Sequence, residues 1–68
     1  METKFKVKMA AARVNAGMTQ QEFANVCGVR VETVNSWENG KTEPPASAVR
    51  KLSDASQIPM DFILCGKD

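Results

Sequence analysis

The chain has 68 residues, of which 43% are hydrophobic, with a formal net charge of +1, two cysteines and no histidine. That length suits one domain near the lower size limit for folding without staples, expected here to span residues 1–68 with its core at about 5–64. No apolar run approaches the ~20 residues that span a membrane, and Lys4, Lys6 and Lys8 interrupt any signal-peptide core, so a soluble, cytoplasmic protein is expected.

Residues 1–3 read as loose. From about Lys4 to Ala16 two patterns compete. Phe5, Val7 and Met9 alternate with lysines as in a strand, whereas Phe5, Met9, Arg13 and Ala16 lie at i, i+4, i+8 and i+11, a helical face. The run Met9-Ala10-Ala11-Ala12-Arg13 favours helix. The expectation is therefore a helix throughout, closed by Asn15-Ala16-Gly17, with an extended arm up to Lys6 as the competing reading.

The next stretch, Thr19 to Gly40, organises the chain. Thr19 and Glu22 form a capping-box pair, and Met18 stands before them as a hydrophobic staple. Phe23, Ala24 and Cys27 then make an apolar stripe, and Gly28 suits the left-handed residue that ends a helix. A second helix is expected from about Arg30 to Asn39, ending at Gly40. Two helices this short are marginal alone and must pack on one another, with Ala24 meeting Val34 where they cross. Short helix, glycine turn, short helix is the helix-turn-helix arrangement, whose second helix can enter a DNA major groove.

At ~100° per residue, Val34, Trp37 and Glu38 share the inner side of that second helix, with Val31 at its margin. Glu32, Ser36 and Asn39 fall opposite, with Thr33 and Asn35 on the flanks. Ser, Asn and Thr are poor helix formers, and a face built from them suggests a task other than stability. Arg13 and Glu38 both fall on core sides of their helices, where an unpaired charge is costly, so the economical solution is that they pair. Their expected role is structural.

Lys41-Thr42-Glu43-Pro44-Pro45 reads as a loop, followed by a helix from about Pro45 to Ser56 with Val49 and Leu52 inside. Ile58 to Leu64 reads as a last short helix with Pro59 in its first turn. Met60, Phe62, Ile63 and Leu64 cannot all be buried in so small a domain, so part of this segment is expected at a dimer contact. The expected core is Met9, Phe23, Ala24, Cys27, Val34, Trp37, Val49, Leu52 and Ile58. Cys65 is read as an incidental thiol of the tail.

The pattern TQxxxAxxxGVxxxxVxxWENGK, from Thr19 to Lys41, resembles the helix-turn-helix of the phage repressor and Cro family, and the likeness extends over roughly residues 5 to 64. It implies an all-α, compact five-helix bundle with a central helix-turn-helix, as in lambda-repressor-like DNA-binding domains. It places Arg30, Val31, Glu32 and Ser36 at base-reading positions. Glu32 can accept from cytosine N4, Val31 can pack on a thymine methyl, Ser36 can donate or accept, and Arg30 can reach phosphate or guanine. Gln20, Asn39 and Lys41 match phosphate contacts, and Gln21, Thr33 and Asn35 join them as phosphate or flank residues. In this family the positions of Arg13 and Glu38 hold a structural salt bridge. Arg30 departs from the usual Ser or Thr cap, and Ser56 stands where a leucine is usual, which leaves that part of the core thin.

The implied partner is double-stranded DNA, bound as a weak homodimer or a dimer formed on DNA, with no membrane partner and no cofactor. A net charge of +1 argues mildly against a nucleic-acid binder. Lys4, Lys6, Lys8, Arg13, Arg30 and Lys41 are set apart from Asp54, Asp61 and Asp68, which is compatible with one basic face. No histidine, glycine-rich phosphate loop or carboxylate pair suggests an enzyme, and two separated cysteines supply too few ligands for zinc. The rival class is a protein-binding module such as an antitoxin. That class usually adds a tail or extra helix, so an end at Asp68 favours a stand-alone regulator.

Overall fold

The computed structural model describes residues 6–64. They run in the order β1 (Val7–Lys8), α1 (Met9–Asn15), α2 (Gln20–Cys27), α3 (Val31–Glu38), α4 (Ala46–Ser56), a 3-10 turn (Met60–Phe62) and β2 (Ile63–Leu64). The five-helix expectation is corrected to four α-helices, one 3-10 turn and a small parallel strand pair in register Val7↔Ile63 and Lys8↔Leu64.

Both corrections lie at the ends of the domain. Helix throughout from Lys4 does not hold, because the alternation around Val7 prevails and α1 begins only at Met9. A strand needs a partner for its backbone groups, and Val7–Lys8 finds one in Ile63–Leu64. The predicted last helix is therefore a single 3-10 turn, with Pro59 as its cap rather than inside it, before the chain turns extended. Of its four large apolar residues, Ile63 is buried, Leu64 half-buried, and Met60 and Phe62 exposed. Lys4, Phe5 and Cys65 lie outside the described residues.

The core comprises Met9, Ala12, Phe23, Ala24, Val34, Trp37, Ala48, Val49, Leu52 and Ile63. Cys27 and Ile58, expected inside, are half-buried at its margin. Ala12 and Ala48 bring α1 and α4 together, since side chains this small permit close approach of the helices. Ser56 is buried at the position where the family the chain resembles usually holds a leucine, and its hydroxyl is satisfied by a hydrogen bond. Its Oγ accepts from the Ile58 N–H at 3.3 Å, while Ser53 Oγ donates to the Ile58 carbonyl at 2.6 Å. The thin part of the core is thus closed by polar links. Among the described residues, no helix is long and apolar enough to cross a membrane.

Candidate nucleic-acid interface

The start of α2 is locked by its own side chains. Thr19 Oγ1 accepts from the Glu22 N–H at 3.1 Å, and Glu22 Oε1 accepts from the Thr19 N–H at 2.8 Å. Each bond satisfies a backbone donor that the helix cannot. At the other end Gly28 adopts φ 74°, a left-handed conformation that costs glycine little, and the Val29 N–H reaches back to the Ala24 carbonyl at 3.0 Å. This turn points the chain into α3.

α3 is held to α2 by Ala24 and Val34, both fully buried, and by Phe23 and Trp37, whose rings meet edge-on with centroids 6.5 Å apart. With Val34 and Trp37 pinned inside, Glu32, Asn35 and Asn39 are exposed, while Thr33 and Ser36 are half-buried. Val31 is half-buried and packs against the core, so little of it is left to meet a ligand. Arg30 is exposed and occupies the N-cap position without a side-chain capping bond. At the far end the Lys41 N–H donates to the Ser36 carbonyl at 2.9 Å, which folds the chain back and leaves the Lys41 side chain exposed.

Several candidate phosphate and flank residues already have protein partners. Asn39 Nδ2 donates to Asn35 Oδ1 at 2.8 Å, and Gln21 Nε2 donates to Asn25 Oδ1 at 3.0 Å. Such i, i+4 amide pairs restrict the rotamers of an exposed helix face.

Arg13 and Glu38 form an ion pair. Arg13 Nε donates to Glu38 Oε2 at 2.7 Å, with the two side chains 13% and 6% exposed. Arg13 also donates to the Met18 carbonyl at 2.8 Å, so it ties α1, the α1–α2 turn and α3 together. The sequence reading missed a third member: Gln20 Nε2 donates to Glu38 Oε1 at 2.8 Å. A weak signal existed, since a nearly buried carboxylate has about four lone-pair sites and one arginine leaves acceptor capacity to spare, although nothing local pointed to Gln20 as the donor.

The electrostatics are mixed. Arg30 and Lys41 are exposed at the two ends of α3, with Glu32 on its face and Glu43 in the following loop. Other exposed cations lie on β1 (Lys6, Lys8) and on α4 (Arg50, Lys51). Burial pushes the Cys27 thiol up and the nearby Lys51 partly opposes it, so this group stays a thiol near neutrality. Among the described residues, no group of His, Cys, Asp and Glu could hold a metal ion. A rigid helix presenting a short polar face between two cations can hydrogen-bond base edges while its ends meet backbone phosphates.

The SPbeta prophage-derived uncharacterized HTH-type transcriptional regulator YonR of Bacillus subtilis (strain 168) is 31% identical over 62 residues, covering 91% of this chain and 57% of that protein. The chain thus spans little more than half the length of that curated relative. No solved structure matches significantly. The helix-turn-helix family model matches residues 9–63, from the start of α1 into β2. The chain belongs to the helix-turn-helix family.

Proposed function

We propose that this protein is a sequence-specific regulator of transcription that binds double-stranded DNA through α3 in the major groove and acts as a repressor in the cytoplasm. The observation that carries this reading is the division of α3. Val34 and Trp37 fix one side in the core, and the exposed side offers Glu32, Asn35 and Asn39 between the cations Arg30 and Lys41. The similarity to a protein named as an HTH-type transcriptional regulator supports the same conclusion.

In this docking Arg30, Glu32 and Ser36 read bases, and Val31 contributes only the part of its side chain left outside the core. Gln20, Gln21, Thr33, Asn35, Asn39 and Lys41 meet phosphates or flank the contact. The eight residues of α3 span only about 12 Å, too few bases for useful selectivity. A dimer on a two-fold operator, with half-sites ~34 Å apart, doubles the sequence read. The exposed Met60 and Phe62, together with the loop after Gly40, offer the contact between copies. That surface is small, so dimerisation in free solution is modest.

The test is a footprint of the purified protein on the DNA adjoining its own gene. Protection of a two-fold symmetric site is expected. Elution with another polypeptide, and no protection of any duplex, would instead favour a protein-binding regulatory module.

A further inference from the structure

We propose that Glu38 is a positioning residue for the grip on DNA: through Gln20 it aims a single amide nitrogen at a backbone phosphate, with Arg13 cancelling its charge. This deepens the proposed function and rests on that reading.

The argument starts from donors and acceptors. Gln20 opens α2, at the end of the helix expected to approach phosphate, yet its Nε2 donates to Glu38 Oε1 at 2.8 Å. An amide nitrogen carries two N–H groups, and its oxygen only accepts. A phosphate offers only acceptors, so the Gln20 oxygen cannot serve it. With one N–H on Glu38, the second is the sole side-chain group that can donate to DNA. The Glu38 bond also settles which way the amide faces, because a flipped amide would turn its oxygen on the carboxylate.

The same nitrogen then bridges two anions, Glu38 and a phosphate. At such a separation an uncompensated carboxylate would repel the phosphate strongly, most of all in a dry interface. Arg13 removes this objection. It donates Nε to Glu38 Oε2 at 2.7 Å and a second nitrogen, more distantly at 3.4 Å, to the Oε1 that Gln20 also binds, so the carboxylate charge is compensated while Oε1 still accepts from Gln20. Arg13, Glu38, Gln20 and phosphate form a chain of alternating charge and dipole, and each hydrogen bond in it polarises the next. A second consequence is geometric. Gln20 stands at the first residue of α2 and Glu38 at the last of α3, so the bond fixes the phosphate grip relative to the base-reading helix.

The experiment has two arms. In the first, side-chain amide resonances of the folded wild-type protein are assigned by NMR. The Gln20 amide proton on Glu38 should be displaced from its free-amide shift and exchange slowly, and the other should move when a selected duplex is added. Free-amide shifts and exchange, or no movement on DNA, would overturn the proposal. In the second, Gln20→Met keeps the length and helix preference but removes the donors. It should weaken binding about tenfold on selected and unrelated duplexes alike, the size of one charge-assisted hydrogen bond. In a Glu38→Gln background, where the amide is no longer aimed by a carboxylate, the same change should cost less than about threefold. An equal loss in both backgrounds, or full affinity of Gln20→Met, would defeat it. A merely structural bond would lower the melting temperature and leave the DNA affinity of the folded protein alone. Wild-type protein that binds no duplex would refute the DNA reading itself, whereas wild-type binding matched by Gln20→Met would refute this inference alone.

Discussion

Replacing Arg13 with Ala tests the most heavily loaded polar contact in the domain. Glu38 is 6% exposed at its side chain, so loss of the guanidinium strands a carboxylate away from water. Breaking a buried pair in this way costs about 3–5 kcal/mol. The lower end is expected because Gln20 still donates to Glu38 at 2.8 Å and Arg13 is itself 13% exposed. A loss of ~3 kcal/mol corresponds to roughly 12–24 °C in melting temperature for a domain of this size. It is also most of the ~3–5 kcal/mol that so small a core supplies, so the variant should be partly unfolded at 37 °C. Urea denaturation followed by Trp37 fluorescence is a suitable assay, since Trp37 is 5% exposed and should emit to the blue in the native state. The double variant Arg13→Ala/Glu38→Ala should be no less stable than Arg13→Ala, because no charge is then stranded. Strict additivity of the two single changes would refute the reasoning, as would native emission like that of free tryptophan.

Two further perturbations probe the frame around the interface. Gln57 caps α4 at φ 64°, a left-handed conformation that costs a residue with a Cβ about 1 kcal/mol, so Gln57→Gly should raise stability by up to that amount in the same denaturation. An unchanged or lower midpoint would contradict it. Cys27 titrates above the ordinary thiol range because burial outweighs the pull of Lys51. An acid raised in the folded state leaves stability intact below its unfolded pKa and withdraws it as pH climbs through the folded value. In a Cys65→Ser background, alkylation of Cys27 at pH 8 should be slower than in urea, and the native state should weaken as pH rises above ~9. Equal alkylation rates would rule out the assigned burial.

The parts of the fold legible from sequence are those settled by neighbours a few residues apart. Thr19 with Glu22, Gly28 with the turn it closes, and the Val34–Trp37 spacing each declare local chemistry, and α2 and α3 follow within a residue or so of the expected bounds. The strand pattern around Val7 was visible but lost to the helical one, because the partner that decides between them, Ile63, lies at the other end of the described chain. Ala12 and Ala48 escaped the core expectation for a different reason. Apolar periodicity weighs large side chains, and these two are buried by helix contact, not by size. At the interface, the inward placement of Glu38 was readable from its helix phase. Its bond to Gln20 was not, since it depends on how the end of α3 meets the start of α2.

The central claim is that α3 reads bases with Glu32 while the ends of the motif hold phosphates. Glu32 and Lys41 are both exposed and remote from the core, so changing either should leave the fold intact. The direct measurement is selection from randomised duplex DNA with wild-type, Glu32→Gln and Lys41→Ala proteins, followed by salt titrations of binding. Glu32→Gln removes a charge that phosphates repel and converts an acceptor into a donor-acceptor group. General binding should therefore tighten while preference at one base pair of each half-site shifts, by about 1–3 kcal/mol of discrimination. Lys41→Ala should weaken every sequence alike and lower the salt slope by about one, with the selected sequence unchanged. A selected sequence altered by Lys41→Ala and untouched by Glu32→Gln would contradict the docking of α3.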